Sequence, residues 1–362
     1  MRRFIECLIP LTMCNLHCSY CYVTQYKWKK NVSANFIYSP DYIAKALSKE
    51  RLGGISLISM TASGETFIAK ELPYISLELL KQGHFINITT NGTLTYHIEK
   101  FIKITEGYHD HIRISFSLHY TELLRKNLID VFFDNIKKVR DSGCSILLQI
   151  NLVDEYVPYW NQIKQISKER IGAYPQVALT RKISNKSFEI FTKKMTRNQY
   201  FSKGNEMLSP LFEFTCKNFL LKQTEYCYAG YWSATLNLCT GEMTSCYGSG
   251  IKQNIYENIT KPIIWEPIGK HCTHPYCINS SHFISQGIIP SQKDILSYGE
   301  LRNREKANWY GEEVKHFLYG KFKDSNQQLN VVEKLYYELI HYMRTKHPGL
   351  RSKIKSRIPF LH

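Results

Sequence analysis

The sequence lacks several features that would assign its class at once. Its 362 residues contain no run of 18 apolar residues, which excludes an ordinary transmembrane helix. Beyond a recurring alternation of strand and helix patterns it has no internal repeat, and it has no low-complexity segment. Its 12 prolines and 19 glycines are too few for a collagen-like chain. With 43% hydrophobic residues it is not wholly disordered either. A globular protein remains, long enough for two or three domains and for a core without disulfide support.

An export signal is missing as well, although the first residues imitate one. Arg2 and Arg3 precede an apolar stretch, but Glu6 interrupts it, Pro10 follows it closely, and no small-residue cleavage site precedes Cys14. We therefore interpret the stretch as a buried first strand. The 11 cysteines, an odd number bunched mostly at two places, favour metal ligation in a reducing compartment over a disulfide framework. This usage predicts a cytoplasmic protein.

Acidic residues are scarce relative to basic ones. The chain has 47 Lys and Arg against 31 Asp and Glu, which gives a formal net charge of +16. Such an excess favours an anionic partner, such as a phosphorylated substrate, nucleic acid or anionic lipid. A solvated, Lys-rich surface is an equally good explanation. Because the basic residues are dispersed and no known recognition motif appears, a nucleic-acid partner is disfavoured.

Short apolar runs rich in β-branched residues alternate with helical patterns, with a spacing of about 30 residues from the second run on. Six such units predict an α/β fold with a parallel sheet, a partial (β/α)6 TIM-type barrel. We place the barrel at residues 1–210, a small Cys-rich β-hairpin and helical domain at 211–297, and a helical extension with a basic tail, Arg351–Arg357, at 298–362. The predicted strands are Phe4–Leu11, Ile55–Ala62, Phe85–Thr90, Ile112–Leu118, Ser145–Val153 and Gln176–Thr180. The clearest predicted helices are Asp41–Lys49, Leu72–Gln82, Leu123–Asp141 and Gln327–Thr345.

Polar side chains follow the predicted strands at their carboxyl ends. In βα barrels the site is built at that end, so this placement supports an enzyme site. The residues concerned are Cys14, Cys18 and Cys21 after the first strand, Ser63, Gly64 and Glu65 after the second, Thr90, Asn91 and Gly92 after the third, Ser117 and His119 at the fourth, and Gln149 and Asn151 late in the fifth.

Cys14, Cys18 and Cys21 form a Cys-x3-Cys-x2-Cys motif. Three thiolates within eight residues can bind three irons of a 4Fe–4S cluster and leave the fourth iron open to a small molecule. A zinc site completed by His17 is the alternative. Because Tyr20 fills the aromatic position before the last cysteine, the motif resembles the signature of the radical S-adenosylmethionine (radical SAM) superfamily.

The resemblance implies that the three cysteines bind the cluster and that its open iron binds S-adenosylmethionine. It also implies reductive cleavage of S-adenosylmethionine to a 5′-deoxyadenosyl radical, which abstracts hydrogen from the substrate. Further positions match the family in order, including a Gly-Gly-Glu-type loop in which Ser63 replaces the first glycine. Caps, turns and strand-end hydrogen bonds are the alternative roles of these polar residues. The implied cofactor-binding residues are Tyr20, Ser63, Gly64, Glu65, Asn91, Ser117, Gln149 and Asn151.

A second group of cysteines lies in the C-terminal part. Cys227 precedes a Gly-x4-Cys pattern that ends at Cys246, and Cys272 and Cys277 form a later pair. This arrangement resembles the SPASM/Twitch extensions of radical SAM enzymes and implies that the four cysteines hold one auxiliary 4Fe–4S cluster. Cys239, near the predicted hairpin turn, is an alternative ligand. Zinc is the alternative metal, because histidines flank the later pair.

Two further residues are candidates for direct catalytic roles. His119, at the end of the fourth strand, is predicted to bind the substrate or to act as a base, with a structural, hydrogen-bonded histidine as the alternative. Cys216 is predicted to donate a hydrogen atom, as in some radical epimerases, with a buried core residue as the alternative.

The resemblance favours a redox modification, dehydrogenation or epimerisation, of a small molecule: a sugar, a cyclitol or a phosphate-linked saccharide. A flavodoxin- or ferredoxin-type protein is the expected electron donor. A peptide-modifying maturase is an alternative, disfavoured because the chain enters its first predicted strand at once, with no leader-binding domain before it. A zinc-bearing nucleic-acid-binding protein is the alternative from another class. The expected cofactors are S-adenosylmethionine, the 4Fe–4S cluster of the radical site and one auxiliary 4Fe–4S cluster.

Overall fold

The computed structural model describes residues 1–183, 188–247, 249–291 and 295–346. Within these ranges no helix is long and apolar enough to cross a membrane. The predicted basic tail, Arg351–Arg357, lies outside the described residues. The strands are β1 (Arg3–Ile9), β2 (Ser56–Ala62), β3 (Phe85–Thr90), β4 (Ile112–Ser117), β5 (Ser145–Leu152), β6 (Gln176–Leu179), β7 (Arg181–Ile183), β8 (Phe188–Ile190), β9 (Ser233–Asn237), β10 (Glu242–Thr244) and β11 (Lys252–Asn254).

Helices alternate with the first six strands and continue after them. The α-helices are α1 (Tyr22–Gln25), α2 (Pro40–Ala46), α3 (Lys49–Leu52), α4 (Leu72–Lys81), α5 (Thr95–Ile104), α6 (Tyr120–Arg125), α7 (Ile129–Asp141), α8 (Trp160–Ile171), α9 (Arg197–Asn205), α10 (Pro210–Asn218), α11 (Ser280–Phe283), α12 (Glu312–Tyr319), α13 (Phe322–Ser325) and α14 (Val331–Lys346). Short 3-10 helices cover Thr66–Ile68, His109–His111, Asp154–Tyr159 and Glu305–Ala307.

Nine strands form one sheet in the order β11-β10-β9-β1-β2-β3-β4-β5-β6. Strands β1 to β6 pair in parallel, each with the next one along the chain. Helices cover the outer face of the sheet: Phe116 of β4, for example, meets Phe132 of α7 edge to face. The predicted partial (β/α)6 barrel, followed by C-terminal helices, is therefore confirmed.

Two predicted helices are wrong in detail, because each is interrupted. The prediction of one helix over Leu123–Asp141 fails where Asn127 adopts a left-handed φ of 54°, a conformation that asparagine tolerates and that separates α6 from α7. The prediction of one helix over Asp41–Lys49 fails at Ser48, whose hydroxyl accepts from the N–H of Arg51 and caps the separate helix α3.

The chain returns to β1 after α10. β9 pairs with β1 in parallel, with Phe4 opposite Ser233 and Leu8 opposite Asn237, and β10 and β11 extend the sheet antiparallel beyond β9. β1 therefore lies between β2 and β9. The segment that carries the second group of cysteines is thus hydrogen-bonded directly to the barrel sheet.

The concave face of the sheet is open at the carboxyl ends of its strands. Leu8 lies on a central strand, yet 36% of its surface is exposed, whereas Cys7 and Ile9 beside it are buried. Because neighbouring residues of a strand point to opposite faces, the exposure of Leu8 comes from the interior of the barrel. Partly exposed polar residues continue this opening along the other strands: Thr61, Thr89, Ser117, Gln149 and Asn151.

At the amino ends of the strands the interior is closed. The buried guanidinium of Arg113 donates from Nε to Asn87 Oδ1 (2.9 Å), from Nη1 to the Tyr310 hydroxyl (2.8 Å) and from Nη2 to the Tyr298 hydroxyl (2.8 Å). These bonds join β4 to the C-terminal segment. The interior is thus a recess with a floor, and it opens where the candidate site residues lie.

Candidate functional site

The loop that follows β1 brings three thiols together. Burial, and then the thiols of Cys21 and Cys14, raise the pKa of the Cys18 thiol. Burial is also the main cause of the raised pKa of Cys14, and Cys21 contributes. Three neighbouring thiols ionise together only when positive charge compensates them, which a metal centre supplies.

A side-chain network fastens this loop to the end of β3. Asn91 donates from Nδ2 to Asn15 Oδ1 (2.8 Å) and to Cys14 Sγ (3.7 Å), and Asn15 donates to the Thr93 hydroxyl (2.8 Å). Asn91, predicted to bind the cofactor, is therefore in contact with the first cysteine of the motif.

The loop after β2 approaches the cysteine loop so closely that a side chain would not fit. The N–H of Gly64 donates to Leu11 O (2.6 Å) and the N–H of Glu65 to Met13 O (2.9 Å). A Cβ on Gly64 would lie 2.1 Å from Met13 O. Ser63, in contrast, is exposed, so a side chain is tolerated where the family pattern has its first glycine.

The carboxylate of Glu65 is buried and fully engaged. Its Oε1 accepts from the Thr90 hydroxyl (2.6 Å) and the N–H of Phe67 (3.0 Å), and its Oε2 accepts from the N–H of Asn91 (2.7 Å). Burial raises the pKa of Glu65, and these three donors lower it in part. The side chain thus ties the ends of β2 and β3 together, and its contact with a cofactor stays a prediction.

Tyr20 links the cysteine loop to the ends of β4 and β5. Its hydroxyl forms hydrogen bonds with His119 Nδ1 (2.7 Å) and the Tyr156 hydroxyl (2.8 Å), and Asn151 lies beside it. Burial lowers the pKa of His119 to about 4, so the ring is neutral near pH 7. In this arrangement His119 helps to hold the cysteine loop, and its role as a base stays a prediction.

The remaining predicted residues of the barrel occupy two places. Ser117 and Gln149 face each other on β4 and β5 and are partly exposed in the open interior. Cys216 lies on α10 near Arg197 and Tyr200 of α9, and burial raises its thiol pKa to about 12. It is therefore a protonated thiol, and its role as a hydrogen donor stays a prediction.

The four predicted auxiliary ligands share one neighbourhood. Burial, followed by the thiols of Cys277, Cys246 and Cys272, raises the pKa of Cys227 well above its usual value. The pKa of Cys246 is raised to about 12 by burial and by Cys277 and Cys272. Cys239 has other neighbours: burial and the carboxylate of Glu71 raise its pKa to about 11.

Both groups of thiols suit iron–sulfur clusters by their chemistry. Across the described ranges, no three or more His, Cys, Asp or Glu side chains are grouped so that they could hold one metal ion. A 4Fe–4S cluster takes one thiolate on each iron, so it needs neighbouring thiols rather than a compact set around one ion. Cys14 and Cys18 beside Cys21 at β1, and Cys227 and Cys246 beside Cys272 and Cys277 in the C-terminal part, are such neighbouring thiols.

Glu6, which the sequence marked only as a charge inside an apolar strand, lies near the second group. Its Oε2 accepts from Asn279 Nδ2 (3.0 Å), and the hydroxyl of Tyr247 stands beside the same carboxylate. Burial raises the pKa of Glu6, and these two donors lower it in part. Glu6 in turn contributes to the raised pKa of Cys246, so it lies near the second group.

Comparison with known proteins agrees with this geometry. Residues 8–157 match the family model described as the Radical SAM superfamily. No curated protein matches the chain. The part of the chain that matches a radical SAM domain includes the three-cysteine loop, the Glu65 loop and the ends of the first five strands. Such a domain indicates an enzyme.

Solved structures similar to this chain share little sequence with it. Streptococcus suis SuiB bound to S-adenosylmethionine is 16% identical, with 71% of this chain and 64% of that chain covered and a TM-score of 0.49. Native anSMEcpe with bound AdoMet is 13% identical, with 72% of this chain and 80% of that chain covered and a TM-score of 0.48. Methylornithine synthase (PylB) is 15% identical, with 57% of this chain and 63% of that chain covered and a TM-score of 0.35. The chain thus spans less than two thirds of the length of SuiB.

Proposed function

We propose that this protein is a radical SAM enzyme that cleaves S-adenosylmethionine reductively and abstracts hydrogen from a polar substrate inside the partial barrel. The observation that carries the proposal is the convergence of three thiols at the carboxyl end of β1. The loop that holds them meets the backbone at Gly64 with no room for a Cβ, in a segment that matches the superfamily model.

Different residues of the site would bind the cluster and position the loop that holds it. Cys14, Cys18 and Cys21 hold the 4Fe–4S cluster, and Asn91 fixes Cys14 by its amide. When bound, the cluster and S-adenosylmethionine supply one-electron cleavage of a C–S bond and a carbon radical that takes hydrogen from a C–H bond. Tyr20 and its hydrogen-bond partners keep the loop in place, which fixes the position of the reacting atoms.

The open interior supplies the rest of the cofactor and substrate site. The rim of this interior, at the carboxyl ends of the strands, carries hydroxyl and amide groups that can form hydrogen bonds with a ribose, a carboxylate or a substrate hydroxyl. We assign S-adenosylmethionine contacts to Ser117, Gln149 and Asn151 on this rim, together with the backbones of Ser63, Gly64 and Glu65.

The second group of thiols, Cys227, Cys246, Cys272 and Cys277, is proposed to hold one auxiliary 4Fe–4S cluster. Its support is that, after burial, the thiols of Cys277 and Cys272 raise the pKa of both Cys227 and Cys246, which places the four side chains near one another. Such a cluster accepts single electrons, which suits a net oxidation of the substrate, and a flavodoxin- or ferredoxin-type donor would reduce the first cluster. The substrate class proposed is a sugar, cyclitol or phosphate-linked saccharide, modified by dehydrogenation or epimerisation.

The test is the iron and sulfide content of anaerobically reconstituted protein, with electron paramagnetic resonance before and after S-adenosylmethionine is added. We expect about eight irons per chain, four for each cluster, and a reduced-cluster signal that changes with S-adenosylmethionine. Cys14→Ala should retain about four irons and lose S-adenosylmethionine cleavage, because its cluster is lost. Cys246→Ala should also retain about four irons but keep some uncoupled cleavage.

Cys144→Ala is the matched control, since Cys144 is a buried thiol just before β5. It should bind as much iron as the wild type. Zinc without iron would contradict the proposal and favour a zinc-bearing nucleic-acid-binding protein. Unchanged cleavage in Cys14→Ala would contradict the assignment of the first cluster.

A further inference from the structure

We propose that Glu6, with Tyr247 and Asn279, is the substrate-binding group of this enzyme and that it takes the hydroxyl groups of a neutral polyol. The inference rests on the proposed function and deepens it, because it names the chemistry by which the substrate is held. The three residues lie together beside the second group of cysteines.

The position of Glu6 follows from the alternation of side chains along β1. Ile5 and Cys7 are fully buried on the outer face, whereas Glu6 and Leu8 point to the open interior. A ligand that enters this recess from the carboxyl ends of the strands therefore passes Leu8 and meets the carboxylate of Glu6.

The partners of Glu6 come from the second group of cysteines. Asn279 lies two residues after Cys277, and Tyr247 follows Cys246 directly. Both partners place their polar groups on the same carboxylate, although more than 200 residues separate them from Glu6. The carboxylate thus stands where β1, which leads into the cysteine loop, meets the C-terminal cysteine segment.

This carboxylate has acceptor capacity to spare. A carboxylate offers about four lone-pair sites, and Asn279 and Tyr247 account for two of them. No Lys, Arg or His nitrogen among the described residues forms an ion pair with Glu6. The carboxylate of Glu65, in comparison, accepts hydrogen bonds from three donors. Since a buried carboxylate is costly unless it is hydrogen-bonded, the interior favours a ligand that donates to Glu6.

The surroundings of Glu6 favour neutral donors over a cationic group. Tyr298 interacts with Glu6 and also with the guanidinium groups of Arg113 and Arg302. His282, which packs against Tyr298, is influenced by Arg302, Arg113 and Arg181. An ammonium group would therefore meet three guanidinium groups in addition to the carboxylate. Adjacent hydroxyl groups donate two hydrogen bonds to the carboxylate without adding charge, which favours a polyol such as a cyclitol or a sugar.

Isothermal titration of the reconstituted full chain, with S-adenosylmethionine and without reductant, tests the proposal. The probes are myo-inositol and D-glucose, with D-glucosamine as the cationic probe and cyclohexanol as a probe without adjacent hydroxyls. We expect the wild type to bind at least one polyol and Glu6→Gln to weaken that binding about tenfold to hundredfold, the range of hydrogen bonds to a charged group. Tyr247→Phe should weaken it by a smaller factor, because one orienting hydroxyl is lost.

Glu99→Gln is the matched control, since Glu99 is a half-exposed surface residue of α5 that pairs with Lys138. It should bind the polyol as the wild type does. Iron content and melting midpoint of each variant establish that it is folded and loaded. Equal polyol affinity in wild type and a folded Glu6→Gln would overturn the proposal, as would binding of neither polyol to the wild type. Tighter binding of D-glucosamine than of D-glucose would overturn the choice of neutral donors.

Cleavage of S-adenosylmethionine by reduced wild-type protein separates this inference from the proposed function. Cleavage without polyol binding overturns the role of Glu6 and leaves the radical SAM function standing. No cleavage by iron-loaded protein overturns the proposed function, and polyol binding that depends on Glu6 would still support the binding site.

Discussion

The contact between Gly64 and the cysteine loop can be tested by adding one methyl group. In Gly64→Ala the new Cβ would lie 2.1 Å from Met13 O and 2.8 Å from Thr12 C, and both are backbone atoms that cannot turn aside. Real Cβ contacts stay beyond 3.0 Å, so the two loops must separate by about 0.9 Å. That movement strains the hydrogen bonds from Gly64 N–H to Leu11 O and from Glu65 N–H to Met13 O.

The expected cost has two parts. Overpacking costs about 1–3 kcal/mol, and each of the two hydrogen bonds adds about 1 kcal/mol if it is lost, so the free energy of unfolding should fall by roughly 2–5 kcal/mol. The displacement also shifts the cysteine loop by nearly an ångström, and a misplacement of about 1 Å can slow a reaction about hundredfold. We therefore expect cleavage of S-adenosylmethionine to slow by about tenfold to hundredfold.

Urea unfolding and the rate of S-adenosylmethionine cleavage, both under anaerobic conditions, measure these effects. Gly311→Ala is the matched control, because Gly311 has a φ of −68° and a Cβ there would meet only Ser145 Oγ at 3.7 Å. It should cost about 1 kcal/mol or less, the loss of a glycine cap. If Gly64→Ala matched Gly311→Ala in both measurements, the close approach of the two loops would be refuted.

Three further substitutions test other parts of the structure. Burial lowers the pKa of His84 to about 4, below the usual 6.5. The neutral ring therefore contributes fully to the free energy of unfolding above about pH 6.5, and up to about 3 kcal/mol of that free energy is lost as pH falls towards 4. His84→Gln should remove this pH dependence from urea unfolding between pH 6.5 and 4. Arg113→Leu should lower the free energy of unfolding in urea by at least about 3 kcal/mol. Burial raises the pKa of Tyr298, but the guanidinium of Arg113 helps to bring that pKa below its usual value, so alkaline titration of the variant should give Tyr298 a higher pKa than in the wild type. Tyr20→Phe removes the hydrogen bond to His119, so it should lower the free energy of unfolding by about 1–3 kcal/mol and lower the iron content. If iron content and stability were both unchanged, the role of Tyr20 in positioning the cysteine loop would be contradicted.

The strands were predictable because each is a short apolar run bounded by turn or cap residues. Phe85–Thr90 is observed with the predicted bounds, and the other five barrel strands differ by one or two residues. The helix breaks were not predictable, because they depend on single residues. Asn127 and Ser48 interrupt runs whose periodicity continues across them, and only the backbone conformation shows that each ends a helix.

The two cysteine groups differ in how far sequence alone can describe them. Cys14, Cys18 and Cys21 lie within eight residues, so one loop holds them whatever the rest of the chain does. The C-terminal thiols come together only through long-range pairing, such as the bridge between Cys227 and Gly269. Spacing therefore left Cys239 open as a ligand. In the fold, burial and then the carboxylate of Glu71 raise the pKa of its thiol, and its role as a ligand stays a prediction.

The parallel pairing of β1 with β9 explains how one chain keeps two cysteine groups at a fixed separation. The carboxyl end of β1 leads into the loop of Cys14, while its edge is hydrogen-bonded to β9, and β9 pairs with β10, which ends two residues before Cys246. Neighbouring strands lie about 4.8 Å apart, so β1 and β10 are held about 10 Å apart by backbone hydrogen bonds rather than by a linker. In the proposed reaction, a substrate that loses hydrogen at one group and an electron to the other would need this rigidity. Glu6 lies on the strand that both groups share, so a ligand bound to it is positioned relative to both at once.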